Sequence, residues 1–134
     1  MTGLKVIALD YGSARTGVAV SDATGTLARP LGVVERAGST AGLRQLAELV
    51  AAEGAERVVV GLPLTLRGKA GAQAEETAAF VAALDAFLDV PVESFDERFT
   101  TALAASGPSS TAPEDARAAA YLLESWLAWT SRPQ

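Results

Sequence analysis

The 134-residue sequence contains neither cysteine nor histidine. The absence of cysteine excludes disulfide bonds, thiol nucleophiles and cysteine-based metal sites, and the absence of histidine excludes serine–histidine catalysis. Any bound metal must therefore be held by oxygen ligands, which favours Mg²⁺ or Mn²⁺ over Zn²⁺. Long hydrophobic runs are also missing near the N-terminus, where the apolar stretch from Leu4 to Leu9 stops at Asp10. We therefore expect neither a signal peptide nor a membrane span there, and a cytoplasmic protein.

Positive charge is scarce as well, since the chain has 11 lysines and arginines against 16 acidic residues, which gives a net charge of −5. A general nucleic-acid binder is normally basic, so this balance argues against that class unless the cations are concentrated at one site. Hydrophobic residues make up 49% of the chain and charged residues 20%, which is typical of a folded globular protein. The length predicts a single domain over residues 1–134.

Apolar periodicity and turn signals divide the chain into alternating elements. Three strands joined by short turns come first and predict an antiparallel meander. The predicted elements are strands at 4–9, 16–21, 31–35, 57–62 and 91–95, and helices at 40–53, about 71–88, and from a capping box at 111–114 onward. The order βββαβαβαα predicts an RNase H-like α/β fold, a five-stranded mixed sheet with three antiparallel strands plus two parallel ones, flanked by helices.

The periodicity also predicts which helix faces are buried. Ser39 is the expected N-cap of the first helix, and Gly54 lies just past its end. The predicted inner face of the second helix consists of Ala74, Ala78, Val81, Leu84 and Leu88. The predicted apolar face of the last helix consists of Ala116, Ala119, Ala120, Leu123, Leu127 and Thr130.

Acidic residues stand at the ends of two predicted strands. Asp10 ends the first strand, where an aspartate either caps a turn or serves a site. Asp96 and Glu97 end the fifth strand, and because successive strand side chains point to opposite faces, only one of the two is expected on the side of Asp10. The structural alternative for this pair is a local ion pair with Arg98, which would contribute little stability.

Asp115 lies in the first turns of the last predicted helix. An acid there favours the helix dipole without any further role. Ala119, Leu122 and Trp126 follow it at helical spacing, however, and place it on or beside an inward-leaning face. An unpaired carboxylate at such a place is costly, so it needs a cation or hydrogen-bond donors.

The predicted strand order brings these acids to one edge of the sheet. The first strand is central and neighbours the fourth, with the fifth beyond it, so Asp10, the acids at 96–97 and Asp115 are expected to converge. Carboxylates without histidine suit hard divalent cations. Two such ions can activate the attacking water and stabilise the leaving oxygen of a phosphodiester.

Four segments resemble the YqgF/RuvX family of RNase H-like nucleases, and their order and spacing cover almost the whole chain. They are LDYGSARTGVAVSD (9–22), VVVGLPLTLRG (58–68), DERFTT (96–101) and DARAAAYLLESW (115–126). The resemblance implies an RNase H-like fold and a nuclease dependent on Mg²⁺ or Mn²⁺. It also implies a role in maturation of the 5′ end of 16S rRNA precursors, with similarity to RuvC-type Holliday junction resolvases.

Carried over position by position, the resemblance makes Asp10, Glu97 and Asp115 the catalytic, metal-binding carboxylates and ranks Asp96 below them as a ligand. The expected nucleic-acid contacts are Arg15, Arg67, Lys69, Arg98, Thr100, Thr101 and Arg117. The residues expected to shape the adjacent loops are Gly12, Gly61 and Pro63. The chain departs from the family in the connection ALAASGPSSTAPE (102–114), which has no basic residue where relatives usually carry several.

Three other functions remain open from the sequence. A junction resolvase has the same fold and metal chemistry but acts as a twofold dimer, which one sequence does not establish. The segment from Asp10 to Ser13 resembles the phosphate loop of actin-like ATPases, but those proteins use two such domains. A non-catalytic ribosome-assembly module would suit the acidic charge. The expected partner is nucleic acid, either pre-rRNA or branched DNA, with homodimer formation left open and no membrane.

Overall fold

The elements follow the predicted alternation closely. The computed structural model describes residues 5–22, 24–25, 27–63, 71–99 and 112–130. In chain order the elements are β1 (Val6–Asp10), β2 (Arg15–Ser21), β3 (Ala28–Glu35), α1 (Thr40–Glu53), β4 (Arg57–Leu62), α2 (Ala72–Phe87), β5 (Val92–Asp96), a 3₁₀ turn (Glu97–Phe99) and α3 (Glu114–Thr130). The expected pair of helices after the fifth strand is wrong for the described residues, where this turn and one α-helix follow β5. None of the described helices is long and apolar enough to span a membrane.

The sheet has the predicted mixed topology, with strand order β3-β2-β1-β4-β5. The short connections make β1, β2 and β3 an antiparallel meander. β4 pairs in parallel with β1, and β5 pairs in parallel with β4, because α1 and α2 carry the chain back to the starting edge before each of these strands. The central position of β1 explains its continuous apolar sequence, since both of its faces are covered.

Side chains alternate between two cores along β1. Ile7 and Leu9 point toward α1 and α2, where they pack in one buried cluster. Val6 and Ala8 point toward α3 and belong to a second cluster. The sheet is therefore a middle layer, and the alternation assigns Asp10 to the α3 face and Tyr11 to the opposite face.

Both predicted ends of α1 are confirmed. The Ser39 hydroxyl accepts a hydrogen bond from the Gly42 amide at 3.0 Å, which caps the first turn. Gly54 ends the helix with φ of 67°, a left-handed conformation that favours glycine.

The buried face of α2 differs from the prediction. Its buried residues are Ala74, Thr77, Phe80 and Leu84, whereas Ala78 is exposed. Thr77 can be buried because its hydroxyl donates to the Gln73 carbonyl at 2.9 Å, which leaves no unpaired polar group.

The face of α3 matches the prediction except at its end. The predicted residues from Ala116 to Leu127 are buried, together with Leu122, Ser125 and Trp126. Thr130 is exposed, and its hydroxyl donates to the Trp126 carbonyl at 3.1 Å. Of the expected capping box, Thr111 lies outside the described residues, and Glu114 is the first residue of α3.

Candidate active site

Asp10 ends β1, and each of the two neighbouring strands has a glycine beside it. On one side it pairs with Gly17 of β2. On the other side, Gly61 of β4 follows directly on the last registered pair, Leu9 with Val60. On the α3 face, these two glycines leave room for the start of α3 on one side of Asp10 and for the Glu97 side chain on the other.

Gly17 admits the N-terminus of α3 against the sheet. A Cβ atom added there would lie 1.8 Å from the carbonyl oxygen of Asp115 and 3.0 Å from the amide nitrogen of Ala116. No side chain fits in this space, so the first turn of α3 rests directly on the backbone of β2. This contact brings Asp115 beside Asp10, as the sequence predicted.

Gly61 admits the side chain of Glu97 in the same way. A Cβ atom added to Gly61 would lie 2.8 Å from Oε2 and 3.0 Å from Cγ of Glu97, and 3.1 Å from Cδ2 of Leu122. Gly61 is therefore a buried residue of β4 that receives Glu97, while Pro63 follows the end of that strand and is half-buried.

The electrostatics show that Asp10 is the middle member of the three carboxylates. Burial, and then the charge of Asp115, raise the pKa of Asp10. Burial raises the pKa of Glu97 too, followed by the charges of Asp10 and Asp96. Across the parts of the chain that the structure describes, no three acidic side chains are already gathered closely enough to hold a metal ion. The carboxylates thus interact in pairs through Asp10 without forming a finished cluster.

Asp96 and Glu97 have different partners. Arg98 donates its backbone amide to Asp96 Oδ1 at 2.9 Å, and its guanidinium Nε reaches Oδ1 at 3.0 Å and Oδ2 at 2.9 Å. These hydrogen bonds lower the pKa of Asp96. The expected local ion pair is therefore present, and it engages Asp96 while Glu97 lies beside Gly61, in the arrangement that alternation predicted.

A tight turn follows Asp10. A Cβ atom at Gly12 would lie 2.5 Å from the Arg15 carbonyl oxygen, so only glycine fits without a shift. The fully buried Thr16 closes the turn, because its hydroxyl lies 3.4 Å from both the amide and the carbonyl of Gly12. Sequence reasoning identified Gly12 but missed Thr16.

Tyr11 anchors this turn from the other face of the sheet, and sequence reasoning missed it as well. Its hydroxyl donates to Glu76 Oε2 of α2 at 2.7 Å. Its ring stacks on that of Phe80, with centroids 4.4 Å apart. Burial and the neighbouring Glu76 raise the pKa of Tyr11 to about 12, so the phenol stays protonated. The alternation along β1 could have indicated the face of Tyr11, but no local signal indicates its partner.

The residues predicted to contact phosphate differ in exposure and in the partners that they already have. Arg15 is exposed, and its Nε lies 3.3 Å from Asp115 Oδ2. Arg117 is half-buried on α3, and its Nε is buried without a hydrogen-bond partner among the described residues. Arg98 is engaged by Asp96. The remaining predicted contacts lie outside the described residues, namely Arg67, Lys69, Thr100 and Thr101.

An open cleft of about 540 Å³ runs beside Asp115 between α3 and the β2–β3 hairpin. Its lining residues are Arg15, Val33, Glu35, Pro113, Glu114 and Asp115. Arg15 is the single cation among these lining residues, which makes it the basic group best placed to meet a ligand phosphate at this side of the carboxylates.

The donor set fits a hard divalent cation. Its three members offer only carboxylate oxygens, and Asp10 and Glu97 are held close enough for their charges to oppose one another. A cation between such groups would offset both the burial and the repulsion.

Comparisons with known proteins identify the family and the fold. A model of the RuvX family, described as Holliday junction resolvase, matches residues 4–129. A protein of Chloroflexus aggregans named "Putative pre-16S rRNA nuclease" is 48% identical over 99 residues, which cover 74% of this chain and 70% of that protein. A protein of the same name from Leifsonia xyli is 39% identical over 138 residues, which cover 95% of this chain and 89% of that protein.

Among solved structures, RuvC of Thermus thermophilus in complex with a Holliday junction substrate superposes with a TM-score of 0.68 at 18% identity, covering 96% of this chain and 97% of that one. At this identity the likeness shows the fold, which is RNase H-like. Together with the family match over nearly the whole chain, these findings mean that the chain belongs to the RuvX family and is a nuclease.

Proposed function

We propose that this chain is a divalent-metal-dependent endonuclease of structured nucleic acid, and that its substrate is the 5′ region of precursor 16S rRNA in the cytoplasm. The names of its relatives support this substrate. The observation that carries the chemistry is the position of Asp10, which interacts with Asp115 on one side and Glu97 on the other.

Asp10, Glu97 and Asp115 would hold Mg²⁺ or Mn²⁺, as two ions. When bound, such ions activate water for attack on a phosphodiester and stabilise the oxygen that leaves. The protein's part is to bring the three carboxylates to the same edge of the sheet, with Asp10 in the middle. Asp10 is fixed by the central strand, Asp115 by the contact of α3 with Gly17, and Glu97 by the space above Gly61.

Phosphate contacts would come from a small number of local cations. Arg15 borders the cleft beside Asp115, and Arg117 lies half-buried two residues further along α3. We include the other predicted contacts in this proposal, which are Arg67, Lys69, Arg98, Thr100 and Thr101. With a net charge of −5, the chain would bind nucleic acid only where these groups and the metal together outweigh the surrounding acids.

A second candidate is resolution of four-way DNA junctions. The description of the matching family model and the RuvC–junction complex favour it. Such an enzyme would need a twofold dimer that presents two sites to the junction. RNA processing ranks first because the relatives with 39–48% identity carry that name.

The test is a cleavage panel with purified full-length chain. The substrates are a structured RNA with a 5′ precursor extension, a four-way DNA junction and single-stranded DNA, each with Mg²⁺, Mn²⁺ or EDTA. Metal-dependent cleavage of the RNA supports the main proposal, whereas preferential cleavage of the junction supports the second candidate. No cleavage of any substrate with either metal would overturn both and favour a non-catalytic module.

A further inference from the structure

Two consecutive residues at the end of β1 face opposite layers of the molecule. Asp10 continues the series of Val6 and Ala8, which pack toward α3, whereas Tyr11 packs on the cluster that contains α1 and α2. The backbone that carries the Asp10 carboxylate is therefore bounded on its other side by the Tyr11 side chain. Whatever fixes Tyr11 also fixes the direction of the chain at Asp10.

Tyr11 is fixed by two independent contacts with a single helix. Its ring stacks on Phe80 at 4.4 Å with an interplanar angle of 21°, and Phe80 itself is only 4% exposed. Its hydroxyl donates to the Glu76 carboxylate at 2.7 Å, a short hydrogen bond to a charged acceptor. Glu76 and Phe80 are one helical turn apart on α2, so they hold the ring and the hydroxyl together.

From these contacts we infer that Tyr11 is a positioning residue for the nuclease site. Tyr11 holds the end of β1 against α2 and thereby fixes the position of Asp10 for metal binding. The inference rests on the proposed function, because it assigns Tyr11 a role through the carboxylate that would hold the ion. Stacking sets the position of the ring, and the hydrogen bond to Glu76 keeps it from rotating away. The buried Thr16 closes the following turn, so the segment after Asp10 is held at both ends.

Three variants separate the two contacts. Tyr11→Phe keeps the stacking and removes the hydrogen bond, Tyr11→Leu removes both, and Glu76→Gln keeps a neutral acceptor. Tyr121→Phe is the matched control, because Tyr121 is the second of the two tyrosines and lies half-buried on α3, away from α2. Each variant is assayed for Mn²⁺ affinity by calorimetry, for kcat and KM on the substrate cleaved by wild type, and for Tm.

Loss of a group that orients a metal ligand typically weakens metal affinity or activity by about 10- to 100-fold. We expect a loss of this size in Mn²⁺ affinity for Tyr11→Leu, and a loss of about threefold to tenfold for Tyr11→Phe. Glu76→Gln should fall between Tyr11→Phe and wild type, and Tyr121→Phe should match wild type. Because the proposed phosphate contacts do not include Tyr11 or Asp10, kcat should fall more than KM rises.

A purely structural role predicts a different pattern. In that case Tyr11→Phe and Tyr11→Leu would lower Tm, yet the folded protein would bind Mn²⁺ with wild-type affinity, and the inference would be wrong. If Tyr11→Leu does not fold, Tyr11→Phe alone decides by the same two readouts. Failure of wild type to bind Mn²⁺ or to cleave would instead overturn the proposed function.

Discussion

Replacement of Gly17 by alanine should separate α3 from the sheet. The new Cβ atom would lie 1.8 Å from the Asp115 carbonyl oxygen, whereas non-bonded carbon–oxygen contacts lie at roughly 3.3 Å or more. The first turn of α3 would thus have to move by roughly 1.5 Å, the difference between these distances. Both strand and helix contribute backbone atoms, so no side-chain rotation relieves the overlap.

Overpacking usually costs about 1–3 kcal/mol and occasionally more. Because this contact cannot relax through a rotamer, we expect a loss of about 3 kcal/mol or more, a large part of the roughly 5–15 kcal/mol that stabilises a typical domain. Urea unfolding followed by circular dichroism measures this loss, and Tm should fall by roughly 10 °C or more. Mn²⁺ affinity of the protein that stays folded should fall too, since Asp115 moves with the helix.

Gly32→Ala is the matched control, because Gly32 lies in β3 and has no atom within 4 Å of an added Cβ. It should leave stability within about 1 kcal/mol of wild type, or raise it slightly. A wild-type unfolding midpoint for Gly17→Ala would refute the direct contact between α3 and β2. Equal losses in both variants would mean that strand glycines as such, and not the contact with Asp115, set the stability.

Three further predictions concern the carboxylates and their cation. Gly61→Ala should lower Mn²⁺ affinity by about tenfold but stability by less than about 1.5 kcal/mol, because the atom displaced at 2.8 Å is the end of the flexible Glu97 side chain. Asp10→Asn should raise Tm in EDTA at pH 7, since burial and Asp115 raise the pKa of Asp10 and its ionised form therefore destabilises the fold. Arg15→Ala should weaken binding to nucleic acid and reduce the slope of log K against log salt by about 0.7–0.9 for each phosphate that Arg15 neutralises.

The effect of Asp10→Asn on stability should depend on pH in a definite direction. A raised folded-state pKa means that the folded protein holds the Asp10 proton more tightly than the unfolded chain, so stability falls as the pH rises from 3.8 through the folded-state value. The advantage of Asp10→Asn should therefore be complete at neutral pH and shrink toward pH 4 in calorimetric scans. An advantage that grows on acidification would contradict the assigned environment of Asp10.

Exposed residues on α1 and α2 provide controls for these variants. Arg44→Ala should leave the salt dependence of binding unchanged. Arg44 is exposed on α1, which lies on the side of the sheet opposite α3. Asp85→Asn should leave Tm in EDTA unchanged, because Asp85 is exposed on α2. A salt slope for Arg15→Ala equal to that of Arg44→Ala would remove Arg15 from the binding surface.

The sheet and its order could be predicted because each strand carries its own signal. Apolar runs of four to six residues end at turn residues, and the lengths of the connections separate antiparallel neighbours from parallel ones. The prediction of the buried face of α2 was wrong in part, because alanine fits on either side of a helix. Ala78 gave the same hydrophobic signal as a core residue, whereas the buried Thr77 gave none.

The acids of the site were visible in the sequence, but the contacts that position them were not. Alternation predicted that only one of Asp96 and Glu97 faces Asp10, and the family resemblance selected Glu97. The contacts of Gly17 with Asp115 and of Tyr11 with Glu76, by contrast, join residues far apart in sequence. Such contacts depend on how helices lie on the sheet, and that arrangement is set by packing of the whole core.

The most direct test of the central claim compares cleavage by wild type, Asp10→Asn and the control Asp85→Asn in Mn²⁺ and in EDTA. We predict that wild type and Asp85→Asn cleave structured nucleic acid only with the metal. Asp10→Asn, although folded by circular dichroism, should lose cleavage by about 100-fold or more and lose measurable Mn²⁺ binding. Cleavage by Asp10→Asn at the wild-type rate would contradict the assignment of these carboxylates as the catalytic centre.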